Sequence, residues 1–444
     1  MEIRAFVPKL KKYQKPLEKY LFPLILFLYP FIGVRQGVDV TDTTYSLGNF
    51  QYQNQLDRMW MLATYLPNVL GRAMTFLPGG DTMLGMNIYA TLLICIMALI
   101  VYVLLQKWMP GWMIFIGEFI AISLCWCPHV ILYNYMTYLF LTLGALCLLY
   151  ALTIWNGNAL HFILAGFFLG LNVMVRFPNV VEAALILTVW FYGALEGKKL
   201  LQIVRETLLC MLGYVIGIGI PMLMIIAGYG VSAYGNMITA LFGMTGGASD
   251  YSFGGMLGSI LGAYGHTLSV MAIMVPCVAA GVLMFLMKQG RYLRGKKLLY
   301  LAGILFLFKY FFSRGIFTTN YFYYDSMFQA AMMFIIVAIV CSVLGTSGWM
   351  NGSKEERVLS LMTLLLILIT PIGSNNYTFP LVNNLFLIAP VTLWLLRRLI
   401  QRAGDGQLHF AWKSMAVALI LLLIVQGTLF HFQYSFVDGA DGQA

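Results

Sequence analysis

Two carboxylates stand three residues apart in Gly37-Val-Asp39-Val-Thr-Asp42-Thr-Thr-Tyr45-Ser-Leu-Gly-Asn49. On a helix that spacing puts both on one face, where they could act as a general base or share a divalent cation. Two solvated aspartates are the other reading. Arg176, in Arg176-Phe-Pro-Asn179, closes an apolar run, and Lys309 and Arg314 straddle the end of a later one, followed by Asn320-Tyr-Phe-Tyr-Tyr-Asp325. A cation beside hydrocarbon is costly unless it is paired or faces water. Guanidinium groups grip phosphate oxygens two at a time, so such a cluster with aromatic neighbours suits a phosphate at the level of lipid headgroups. Snorkelling of each basic side chain to headgroups is the alternative. Asp250 lies in the glycine-rich stretch Gly246-Gly-Ala-Ser-Asp250-Tyr-Ser-Phe-Gly-Gly255, which lacks the Lys-Ser/Thr that would make it a nucleotide P-loop.

The elements that must hold these residues are apolar. Of 444 residues, 61% are hydrophobic and 10% charged, against roughly 25% charged in a soluble domain. Runs long enough to cross about 30 Å of hydrocarbon recur from Tyr20 to Phe432. The pattern predicts an all-α polytopic membrane protein with about thirteen spans. They lie near 20–35, 86–106, 111–127, 134–155, 160–176, 179–195, 206–229, 264–288, 298–313, 327–346, 358–372, 385–400 and 411–432. No small-residue cleavage site follows the first run, which reads as an uncleaved anchor.

The net charge of +10 first suggests a nucleic-acid partner, but the basic residues sit in turns between apolar runs, so none is expected. After the basic segment 1–19, the even-numbered turns carry Lys107, then Lys198, Lys199 and Arg205, then Lys288, Arg291, Arg294, Lys296 and Lys297, then Lys354 and Arg357, then Arg397, Arg398, Arg402 and Lys413. The odd-numbered turns hold Arg35, Arg58, Arg72, Arg176 and Arg314. Positive residues stay on the cytoplasmic side, which predicts the N-terminus inside, the C-terminus outside and a membrane domain over 20–432. The tail 433–444 reads as external and as the start of a further outer domain. Asp39, Asp42, Asp57, Asp81, Asp250, Asp325, Asp438 and Asp441 all fall outside on this scheme, so polar chemistry is expected on the outer face. Glu118 and Glu182 lie within spans, where they could pair or line a cavity. The seven cysteines fall in or at the ends of apolar runs and read as buried thiols.

The segment 36–85 is the longest polar stretch, and loops of that size are usually functional or disordered. From Asn54 to Leu77, the residues Leu56, Trp60, Ala63, Leu66, Leu70, Met74 and Leu77 recur at helical spacing. They predict an amphipathic segment flat in the outer interface, broken near Pro67.

A basic N-terminus, one span, then a long external loop that opens on an acidic motif and continues with interfacial helices resembles the GT-C superfamily of integral-membrane glycosyltransferases. Within it, Asp42-Thr-Thr-Tyr45 resembles the D-E-x-x-Y stretch of the protein mannosyltransferase and aminoarabinose transferase branch, with Thr43 at the acidic second position. The resemblance implies transfer of a sugar from a polyprenyl-phosphate donor, at the outer leaflet, to a lipid, glycan or protein acceptor. It implies Asp42 as base with Asp39 as alternate, and Tyr45, Arg176, Asp250, Lys309 and Arg314 about the substrates. No organic cofactor is implied, and a divalent cation is the one inorganic option. The expected setting is a bacterial plasma membrane. A transporter or flippase is the competing class, although few ionisable residues fall near mid-span and no repeat is evident. A polysaccharide polymerase or ligase is the third, but its large loop would come late in the chain.

Overall fold

The structure, a computed structural model, describes residues 14–35, 40–53, 55–125, 127–155, 157–245, 252–286, parts of 292–309, 325–404 and 412–433. Those residues form a helical, polytopic membrane protein. The helices are α1 (Phe22–Leu28), α2 (Val40–Gln51), α3 (Arg58–Ala63), α4 (Tyr65–Thr75), α5 (Met83–Leu105), α6 (Gly111–Leu124), α7 (Leu132–Thr153), α8 (Ala159–Val175), α9 (Leu187–Glu196), α10 (Leu200–Tyr229), α11 (Ala233–Thr245), α12 (Phe253–Leu286), α13 (Asp325–Thr346), α14 (Lys354–Ile369), α15 (Phe379–Asn383), α16 (Ile388–Gly404) and α17 (Trp412–Gln433).

Among the described residues, seven helical stretches are long and apolar enough to cross a membrane: Gln14–Arg35, Met83–Leu105, Leu132–Thr153, Phe177–Glu196, Leu200–Tyr229, Phe253–Met274 and Met327–Thr346. Shorter apolar helices cover Gly111–Leu124, Ala159–Val175 and Ile420–Leu429. The expected span at 298–313 lies largely outside the described residues. Prolines segment two of the spans by removing a donor N–H. Gln14–Arg35 passes from a π-helical turn through α1, which carries Pro23 in its first turn, into a 3₁₀ segment at Tyr29–Arg35 containing Pro30. The sixth expected span begins at Phe177 as a 3₁₀ helix with Pro178 at its start, before α9.

Two expectations need correction. The eighth span was expected to start at 264, but α12 begins at Phe253, inside the glycine-rich stretch. The Ser252 hydroxyl accepts the Gly255 N–H at 3.1 Å, so a helix cap does what the glycines would resist. The loop helix does not break at Pro67. Pro67 sits buried in the first turn of α4, where no N–H partner is missed, and the break falls at Thr64. There the Asn68 amide donates to the Met61 carbonyl (2.9 Å) and the Thr64 hydroxyl (3.1 Å). Nor does this segment merely lie in the interface. Met61, Leu62 and Tyr65 pack with Met174, Ile225, Tyr234 and Met237 from the bundle, while Trp60 stays exposed.

The tightest crossing joins α8 to α10. A Cβ at Gly166 would lie 1.8 Å from the Cys210 carbonyl oxygen, and one at Gly170 would lie 2.1 Å from that of Tyr214. Reciprocally, a Cβ at Gly213 would lie 1.9 Å from the Ile163 carbonyl oxygen, and one at Gly217 would lie 2.2 Å from that of Phe167. Both helices thus carry glycines four residues apart on the contacting face, the small-residue spacing that lets membrane helices touch backbone to backbone.

The two ends of the bundle differ. At one, Lys198 pairs with Glu206 (2.7 Å) within one turn that the sequence numbers even, and Lys354 with Glu196 (3.3 Å) and Arg398 with Glu356 (2.6 Å) join such turns to one another. At the other, odd-numbered turns enclose a cavity.

Candidate functional site

Helix α2 is built to hold Asp42. Its inner face, Thr43, Ser46, Asn49 and Phe50, is buried. The Phe50 ring fills the space beside Gly71 of α4, where a Cβ would lie 2.4 Å from the ring. Arg72 closes the C-terminus of α2 by donating to the Phe50 and Gln51 carbonyls at 3.5 and 3.4 Å. Asp42 lies in the opposite, first turn, where the helix dipole favours a negative charge. Tyr45 follows on the same face.

Asp42 and Tyr45 line a cavity of about 700 Å³ together with Arg176, within the roughly 300–1,000 Å³ of small-molecule sites. Tyr133 lines the same cavity. Tyr45 donates to the Trp60 carbonyl (2.7 Å), lies 2.8 Å from the Thr64 hydroxyl and sits edge-on to the Trp60 and Tyr133 rings. Burial, reinforced by the nearby Asp42 charge, pushes its hydroxyl up to about 12 against the lowering effect of the Thr64 bond. Tyr45 therefore stays a neutral donor and ties α2 to α3 and the Thr64 break.

Arg176 is the residue at which α8 ends. Its backbone is extended, and its Nε donates to the Asn179 side-chain oxygen at 3.4 Å. Asn179 in turn donates to Asn172 Oδ1 (3.2 Å) and the Thr137 hydroxyl (2.8 Å), and Asn172 donates to Glu182 Oε2 at 2.6 Å. A buried carboxylate thus stands behind the guanidinium through two amides whose orientations are fixed by their donors.

The remaining walls are apolar on one side, with Phe177, Leu241, Phe242, Phe253, Met256 and Ile260, and amide-rich on another, with Asn134, Asn375, Asn376 and Asn383. Sequence reasoning missed Tyr133 and the whole stretch Gly373–Asn383. The available signal was the density of asparagine in a polar gap between two apolar runs on the odd-numbered side. Asp39, Asp250 and Arg314 lie outside the described residues. Lys309 is exposed and is not among the residues lining the cavity. The six described cysteines are free thiols. Among the described residues, no three His, Cys, Asp or Glu side chains gather to hold a metal ion.

The sequence matches no family model and no curated protein. The fold, however, is shared with solved structures. One is the crystal structure of the Archaeoglobus fulgidus oligosaccharyltransferase with Zn and sulfate, with a TM-score of 0.51 and 13% identity, covering 95% of this chain and 53% of that one. Another is the archaeal oligosaccharyltransferase AglB from Archaeoglobus fulgidus with an inhibitory peptide and a dolichol-phosphate, with a TM-score of 0.52 and 12% identity, covering 96% of this chain and 57% of that one. The chain therefore spans little more than half the length of the proteins whose fold it shares.

Proposed function

We propose that the chain is a membrane glycosyltransferase of the GT-C superfamily that moves a sugar from a polyprenyl-phosphate donor to a lipid, glycan or protein acceptor. The observation that carries this reading is one cavity lined by both Asp42 and Arg176, in a fold shared with oligosaccharyltransferases. The dolichol-phosphate in one of those structures supports a lipid-phosphate donor here. The assignment stays at superfamily level, because Tyr45 follows Asp42 by three residues where D-E-x-x-Y places its tyrosine four on. Thirteen spans, an N-terminus inside and a site on the outer face of a bacterial plasma membrane complete the proposal, with the transporter reading as the alternative.

In the reaction, an acceptor hydroxyl gives its proton to the Asp42 carboxylate as its oxygen bonds to the anomeric carbon. The bond from that carbon to the phosphate oxygen breaks, and the electron pair leaves on the lipid phosphate, where Arg176 stabilises the added charge. The apolar wall suits the first isoprene units. The steps use the chain's own residues and route nothing through a metal.

Asp42→Asn keeps shape and removes the proton acceptor. Transfer from a polyprenyl-phosphate sugar should fall by about a hundredfold or more, with donor binding and expression kept. Near-normal transfer by Asp42→Asn with loss in Asp39→Asn would move the base to Asp39. If neither mattered, the transferase reading would fail.

A further inference from the structure

The loop 373–378, Gly-Ser-Asn-Asn-Tyr-Thr, carries no charged residue, yet it is fixed in place. Gly373 has φ of 82° and packs against Pro178, so that a Cβ there would lie 2.2 Å from the proline Cβ. The loop is thereby pinned to the segment that carries Arg176. At its other end Thr378 is buried and donates to the Met332 sulfur at 3.0 Å. Between these anchors the Ser374 hydroxyl accepts the Asn376 backbone N–H at 3.1 Å, and the Asn376 carbonyl accepts the Phe379 N–H at 3.0 Å. These contacts and the Gly373 packing fix the loop as a built wall.

Two side-chain amides on that wall remain unused. Asn375 and Asn376 line the cavity, and neither side chain has a partner among the described residues. Asn383, by contrast, is consumed by structure, donating to the Phe379 carbonyl (2.9 Å) and accepting the Cys127 N–H (3.0 Å). Beside the free amides Tyr377 is held at φ of 50°, a conformation rare for an aromatic residue. Its ring is 51% exposed and only 6.0 Å from that of Phe379. Each amide offers two donors and an acceptor, which matches vicinal hydroxyls that both give and take hydrogen bonds.

We infer that the loop 373–378 is a sugar-binding subsite in which Asn375 and Asn376 read the hydroxyls of a neutral pyranose. The inference rests on the transferase reading for the reason a sugar is present, and the ring belongs either to the donor or to the acceptor.

Saturation-transfer NMR on the full chain in nanodiscs tests it, with the methyl glycosides of mannose, glucose, galactose and N-acetylglucosamine and a Ser/Thr-rich peptide as probes. At least one glycoside should receive saturation, and Asn375→Ala/Asn376→Ala should weaken its binding about tenfold, as the loss of two hydrogen-bonding groups predicts. Unchanged melting temperatures show that the variant folds. Displacement of the glycoside by a polyprenyl-phosphate sugar identifies the donor's ring, and simultaneous binding identifies the acceptor's. Glycoside binding is read without turnover, so a failed transferase reading and a failed subsite give different results. No saturation of any glycoside, unaltered binding by the double variant, or saturation of the peptide alone would overturn the subsite.

Discussion

At the scale of single residues, the site pairs one carboxylate with one guanidinium, and each is held differently. Asp42 sits in the first turn of α2, whose Phe50 ring packs on Gly71 of α4. Arg176 is backed by Asn179, Asn172 and the buried Glu182. The planar fork of arginine fits phosphate oxygens in pairs, whereas lysine keeps the charge and loses the fork. Arg176→Ala should therefore weaken polyprenyl-phosphate binding more than Arg176→Lys does, measured by titration in nanodiscs. Equal affinity of both variants and the parent would remove Arg176 from the site. Asp42 and Arg176 were legible in the sequence because charge beside hydrocarbon is conspicuous. Tyr133 and the Asn375 and Asn376 amides were not, because tyrosine and asparagine near a membrane surface are ordinary until a cavity is seen between them.

At the scale of elements, periodicity located the long apolar helices but not the short α11 and α15, and it misjudged how helices begin and break. Proline at 67 looks like a breaker in sequence and is harmless in a first turn. Glycines at 254 and 255 look like loop and are carried by a serine cap. The loop helices look amphipathic and are, but the buried side meets the bundle through Met61, Leu62 and Tyr65. The glycine spacing on α8 and α10 was readable and marks the closest crossing in the described structure. Gly213→Leu must push the two backbones apart, and overpacking of this kind costs about 1–3 kcal/mol or more. The variant should melt several degrees lower and lose donor affinity, because α8 ends at Arg176. A Gly219→Leu control, at a position with nothing within 4 Å, should melt like the parent. Equal melting of Gly213→Leu and the control would show that the crossing tolerates bulk.

At the scale of the whole molecule, the ion pairs and the cavity draw on different sets of turns. Ion pairs join turns numbered even, and the cavity is walled by turns numbered odd, from Asp42 through Pro128, Arg176, Leu241 and Asn376. Hydropathy could find that division because each turn is read independently of how the helices pack. What hydropathy could not supply is which odd turns meet, since that depends on the glycine crossing and on the loop helices. With the native cysteines replaced, an impermeant thiol reagent applied to intact cells should label cysteines placed at 45 and 250 and spare those at 198 and 295. Labelling at 295 would invert or break the proposed topology.

The crossing of α8 and α10 has a consequence for motion. Where two backbones touch through glycines there are no side-chain rotamers between them, so Arg176 rides on the stiffest joint described in the protein. Asp42 instead rides on α2, held through the Phe50 ring, the Arg72 side chain and the Tyr45 hydroxyl, all of which can swing. Any closure of the cavity will then be lopsided: the Arg176 side is a fixed anvil, and Asp42 arrives with the loop.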